Sequence, residues 1–182
     1  MHAELTRDDI RELLIEVCTR LEQAGIQATI RLVGGASMAL SGRDRRVTVD
    51  IDASYSPALA VEKIVKDIAE ERGLPRNWMN SSASAFIPSG AGRQPITLGS
   101  GYRIDLATPR TLLAMKLSSA RQRDMEDLGY LVAQLDITDP DEAVGIAEEH
   151  DGDDDVANPP IARQDAEIVA AQAIQLARGK NL

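Results

Sequence analysis

The sequence predicts a small mixed α/β core followed by a helical C-terminal portion. Three observations carry that prediction. The apolar spacing switches between helical and strand periods in the order helix, strand, helix, strand, helix, then strands, then helices. The 182 residues, 43% of them apolar, are enough for one compact domain or one domain with an extension. Aromatic residues make up only 3%, so the core must be built from Leu, Ile, Val, Ala and Met.

Each element has its own signal. Thr6 with Asp9 three residues on is a capping box, and Ile10, Leu13, Leu14, Val17, Cys18 and Leu21 follow at helical spacing to a stop at Gly25. Residues 28–33 are short and β-branched, hence a strand, and residues 36–40 form a short helix after Gly34-Gly35. Residues 47–53 alternate, with Val47, Val49 and Ile51 on one side and Thr48, Asp50 and Asp52 on the other. Pro57 opens a helix that Gly73 and Pro75 close near Arg72. Residues 76–93 read as irregular, with a short strand at 83–87, and residues 95–98 and 102–107 as a hairpin about Gly99-Ser-Gly101. Thr108 caps, and Pro109 begins, a long helix expected to reach Leu135; further helices cover 140–149 and 160–178.

The formal charge of −9 and a pI near 4.7 argue against a generic duplex-DNA binder, whose footprint is basic. The densest basic cluster is Arg43-Asp-Arg-Arg46. The lone cysteine, Cys18, can form no intramolecular disulfide and sits in a helical pattern as a small hydrophobe. A cysteine-based zinc site is excluded, and His2 and His150 are too far apart in sequence to suggest a metal motif. No signal-peptide run or membrane-length apolar stretch is present, so a cytoplasmic protein without a membrane partner is expected. The acidic run at 150–155 lacks the EF-hand spacing and reads as a surface loop.

Asp50 and Asp52 carry the strongest chemical signal. Two residues apart on a strand, their carboxylates share one face, about 6–7 Å apart along the backbone. Like charges that close repel unless a cation lies between them, and a hard divalent ion such as Mg²⁺ (or Mn²⁺) suits two carboxylates. A merely wet strand face is the plain alternative. Gly34-Gly35, with Ser37 after it, lies between a strand and a helix, where backbone N–H groups can approach a phosphate. Alone it is an ordinary strand-to-helix turn. A phosphate cradle shortly before a carboxylate pair is what nucleotide chemistry requires.

The runs Val33-Gly-Gly-Ala-Ser-Met-Ala-Leu40 and Arg46-Val-Thr-Val-Asp-Ile-Asp52 resemble the nucleotidyltransferase superfamily of polymerase-beta type. Within it, Gly-Gly-Ala-Ser followed by Arg-x-Thr-x-Asp-x-Asp is similar to the AbiEii-type toxin nucleotidyltransferases. The resemblance covers about residues 10–135 and implies a minimal nucleotidyltransferase core over 1–135 with a helical extension over 136–182. It implies Asp50 and Asp52 as metal ligands and Gly34, Gly35, Ser37 and Arg46 as nucleotide-binding. It also implies Asp105 as a third carboxylate, either a base for the attacking hydroxyl or a further metal ligand; an exposed strand aspartate is the plain alternative.

The long helix resembles the same group, with Lys116 in a Leu-x-x-Lys-Leu setting before Arg121, Arg123, Asp124 and Asp127. On a helix, Leu113, Leu117, Leu128, Leu131 and Leu135 form an apolar stripe with Asp124 in its middle, a costly place for an unpaired carboxylate. Asp124 must therefore meet an arginine, a metal-bound water, a helix start or an ion-pair partner. On a straight helix Lys116 and Asp127 would stand about 16 Å apart, so Lys116 is assigned to the triphosphate, and Asp124 and Asp127 to the acceptor side. The resemblance implies transfer of a nucleoside monophosphate from an NTP to an acceptor hydroxyl, in the toxin half of a toxin–antitoxin pair with a cognate antitoxin and a tRNA acceptor. A protein or small-molecule acceptor such as an antibiotic, and a non-catalytic binding module, stay open.

Overall fold

Thr6 starts the first helix, α1 (Arg7–Gln23). Its Oγ1 accepts the Asp9 amide at 3.3 Å, and the Asp9 carboxylate accepts the Thr6 amide at 2.8 Å. This reciprocal box satisfies two donors that a helix start leaves open. Gly25, at φ +68°, turns the chain away after the C-cap at Ala24. The computed structural model describes residues 4–43, 47–87, 90–99, 101–150 and 161–180. Arg46 and the acidic run 151–155 lie outside them.

The chain continues through β1 (Thr29–Leu32), α2 (Gly34–Leu40), β2 (Ile51–Ser56), α3 (Ala58–Arg72), β3 (Met79–Asn80), β4 (Arg93–Leu98) and β5 (Tyr102–Ala107). Four helices follow: α4 (Pro109–Ser119), α5 (Met125–Gln134), α6 (Pro140–His150) and α7 (Arg163–Lys180). The class is α/β with a mixed sheet, as the sequence indicates. The chain divides into two compact units, Met1–Ala85 with Arg93–Ala107, and Phe86–Gly92 with Thr108–Leu182. The boundary anticipated at 135/136 falls within the second unit. No helix among the described residues is long and apolar enough to cross a membrane.

In the first unit the strand order is β3-β2-β1-β5-β4. β1 runs antiparallel to β2 and parallel to β5, β2 runs parallel to β3, and β4 and β5 form an antiparallel hairpin. Strand alternation sorts the side chains. Ile30, Leu32, Ile51, Ala53, Tyr55, Ile104 and Leu106 enter a core shared with Ile10, Leu14 and Val17 of α1 and Val61, Ile64 and Ile68 of α3. Trp78 is sealed in that core, its indole N–H donating to the Val65 carbonyl at 3.0 Å. Burial pushes the Cys18 thiol up to about 11, so this cysteine is inert packing. The second unit packs α4 with α5 and α6, and α5 and α6 with α7. Gly129 lets α5 approach α7: a Cβ there would meet Leu176 at 3.3 Å.

Three elements differ from expectation. β2 begins at Ile51 rather than Val47, because Thr48 instead bridges Leu5 and Val49 is 53% exposed. Its inward set is Ile51, Ala53 and Tyr55, so the alternation survives with the strand displaced toward Ser56. Residues 83–87 form no strand: Ser84–Phe86 is a 3₁₀ turn, and the strand lies earlier, at Met79–Asn80, where Ile51 N–H bonds the Trp78 carbonyl at 2.7 Å. The long helix is broken. Ala120 takes a left-handed conformation at φ +44°, a 3₁₀ turn spans Gln122–Asp124, and α5 restarts at Met125. The break removes the conflict read from the helical wheel, since Asp124 now finds a cationic partner.

Candidate active site

The site grows from the junction of β1 with β2. Strand pairing sets Leu32 beside Ala53, and the next step brings the Val33 amide to the Asp52 carbonyl at 3.0 Å. The chain then turns at Gly34, whose φ of +59° suits glycine. A Cβ placed on Gly34 would stand 3.1 Å from Asp52 Oδ2. The glycine turn and the second aspartate, eighteen positions apart in sequence, therefore form one surface. The missing side chain lets the Asp52 carboxylate sit directly against the turn.

Asp52 lies on the side of β2 opposite the buried Ile51, Ala53 and Tyr55, and both Asp50 and Asp52 are half-buried. Asp50 precedes the strand and is held from two sides. Thr48 Oγ1 donates to its carbonyl at 3.0 Å, and Asn80 Nδ2 donates to its Oδ2 at 3.3 Å. Ser37 is fully buried, and its hydroxyl donates to the Ala107 carbonyl at 3.3 Å, tying α2 to β5. As placed, that hydroxyl serves the turn's foundation rather than an outward ligand. Gly35 is half-buried beside Gly34.

Asp105 is on the same side of the sheet, in register with Arg31, which in turn pairs with Ser54. Two strand spacings and two residues separate it from Asp52, about 12 Å between Cα atoms. Among the described residues no three of His, Cys, Asp or Glu converge as a metal-holding group. Arg31 lies between the two carboxylate positions. Burial lowers its pKa, the nearby Arg93 lowers it further, and Asp105 opposes both. Arg93 and Arg103 are exposed on the same side.

Two half-buried aspartates two residues apart, a carboxylate oxygen beside a glycine turn, and a neutral amide donor on the first aspartate together fit a hard divalent cation bound by oxygen. Asp50 and Asp52 would supply two ligands, leaving the others to water and phosphate oxygens.

The second unit holds a different arrangement. Lys116 Nζ lies 2.5 Å from Asp124 Oδ1 and 2.9 Å from Asp127 Oδ2, and all three residues are buried. Lys116 and Asp127 meet because α4 and α5 are separate helices, which corrects the spacing anticipated on a straight helix. Lys116 thus stands in a buried ion cluster with both aspartates. Arg110 is paired with Glu149 at 2.6 Å, while Arg121 and Arg123 are exposed.

A family described as nucleotidyltransferases of unknown function (DUF6036) matches residues 12–144. The chain belongs to that family. The matched span includes Gly34, Gly35, Ser37, Asp50, Asp52, Asp105, Lys116, Asp124 and Asp127. A crystal structure of an antigenic nucleotidyltransferase-like protein from Paracoccidioides brasiliensis is similar over 98% of this chain and 93% of its own, at 15% identity and a TM-score of 0.49. No curated protein matches the chain.

Two residues of this nucleotidyltransferase-family chain were not singled out from sequence. Asn80 was hidden because Met79–Asn80 is too short a strand to show a period, although a buried Trp78 in a polar stretch marks a point tied to the core. Arg31 was visible as the one charged residue within Thr29–Leu32, and only the sheet register reveals that it faces Asp105.

Proposed function

We propose that this chain is an active nucleotidyltransferase that moves a nucleoside monophosphate from an NTP to an acceptor hydroxyl and releases pyrophosphate. The observation that supports the reading most is the closeness of Gly34 to Asp52 Oδ2, which sets the glycine turn beside the second aspartate of the pair. In it, Gly34 and Gly35 admit the polyphosphate close to the backbone, and Asp50 and Asp52 hold Mg²⁺ (or Mn²⁺). When bound, the ion offsets negative charge on the phosphates. The acceptor oxygen attacks the α-phosphorus, its bond to that phosphorus forms as the bond to pyrophosphate breaks, and the hydroxyl proton leaves to a base. Asp105 is the favoured base, because Asp124 and Asp127 are already engaged with Lys116 in a buried cluster.

The finer proposal is a toxin of a toxin–antitoxin pair with a tRNA acceptor. It draws support from Arg31, Arg93 and Arg103, which give an otherwise acidic chain a basic strip on the side of the sheet that carries the aspartates. A protein or small-molecule acceptor is the competing version. The test is incubation with Mg²⁺, each labelled NTP and, separately, total RNA, protein extract and small hydroxyl acceptors. Label reaching RNA, and lost in Asp50→Ala and Asp52→Ala, is the expected result. Transfer untouched by both substitutions would remove the proposed site, and no transfer to any acceptor would favour a binding module.

A further inference from the structure

We propose that Asn80 is a positioning residue for Asp50: its amide holds one carboxylate oxygen so that the other faces the cation. The proposal rests on the metal-dependent reading above. Asn80 ends β3, in parallel register with Asp52 of β2. Its Nδ2 lies 3.3 Å from Asp50 Oδ2 and 3.4 Å from the Asn77 carbonyl, and its Oδ1 accepts the Ser82 amide at 2.9 Å. That last bond fixes which way the amide points, because only oxygen can accept a backbone N–H. The nitrogen is thereby directed at Asp50.

The support behind Asn80 is rigid. Trp78 is 1% exposed, donates to the Val65 carbonyl of α3, and accepts the Ile51 amide through its own carbonyl. Asp50 itself precedes the strand, so no ladder bond of β2 orients it, and a side chain anchored from β3 supplies that constraint. The chemistry of the donor matters. A lysine or arginine here would neutralise the carboxylate and compete with a cation, whereas a neutral amide orients it and leaves its charge available.

The experiment titrates Mn²⁺ alone into the full chain and follows the free-ion EPR signal, comparing wild type with Asn80→Ala, Asn80→Leu and Asn80→Ser. Metal-free melting is recorded for each variant. Asn80→Leu and Asn80→Ala are expected to weaken Mn²⁺ binding by about 10–100-fold, and Asn80→Ser, which keeps a donor, to weaken it less. Affinity within two-fold of wild type in Asn80→Ala would overturn the proposal. So would an equal loss in Asn80→Ser and Asn80→Leu, which would mark a packing role. Wild type that binds no Mn²⁺, like an Asp50→Ala control, would overturn the metal site itself and this proposal with it.

Discussion

Gly34 and Asp52 meet so closely that a single methyl group on the glycine would stand 3.1 Å from the aspartate Oδ2. Gly34→Ala is therefore expected to act twice. The left-handed backbone costs about 1–2 kcal/mol for a residue with a Cβ, and the added carbon displaces the carboxylate. Thermal melting should show a modest loss of stability, while nucleotidyl transfer should fall far more than that loss explains. Activity that declines only in step with the unfolded fraction would separate the turn from the site.

Asp50 and Asp52 are half-buried and two residues apart, and like charges that close repel. Relief by Asp52→Asn is expected to raise the metal-free melting temperature while abolishing the rise that Mg²⁺ gives wild type. At a Mg²⁺ concentration 100 times Kd that rise corresponds to about 2.7 kcal/mol. Calorimetry with and without a chelator checks both halves. An identical Mg²⁺ response in wild type and Asp52→Asn contradicts the assignment.

Lys116 neutralises part of a buried cluster with Asp124 and Asp127. Lys116→Ala would leave both carboxylates buried without that cation, a loss of about 3–5 kcal/mol. Denaturant unfolding of the variant tests this. Replacing both aspartates with asparagine alongside Lys116→Met should recover much of the stability. An unchanged midpoint in Lys116→Ala would show that the cluster is not structural.

The Thr6–Asp9 capping box adds a pH dependence. Hydrogen bonds from the Thr6 side chain, and then its backbone, hold the Asp9 carboxyl below its ordinary value. A group depressed in the folded state contributes stability above its unfolded pKa, and that contribution disappears as pH falls through the folded value. Wild type should therefore be more stable than Asp9→Asn at neutral pH, with the gap closing in acid. Thr6→Ala should cost about 1 kcal/mol at neutral pH. A gap that widens on acidification would contradict the sign.

Much of the candidate site is legible in the sequence because short-range patterns encode it. The Asp-x-Asp alternation, the glycine pair and the Thr6 box each act within a few residues. What stayed hidden depends on contacts across the chain. Asn80 reaches Asp50 through a two-residue strand, Arg31 faces Asp105 only once β1 and β5 pair, and the break at Ala120 follows from no glycine or proline signal. The helical wheel did mark Asp124 as a residue in need of a partner, but spacing on an unbroken helix kept Lys116 and Asp127 apart.

Paired incubations with α-labelled and γ-labelled NTP, in Mg²⁺ and total RNA, test the central claim most directly. The account predicts that the α-label enters the acceptor, that the γ-label leaves as pyrophosphate, and that Asp50→Asn with Asp52→Asn abolishes the transfer. Entry of the γ-label instead, which is phosphoryl transfer, or α-label transfer undiminished in the double variant, would contradict it.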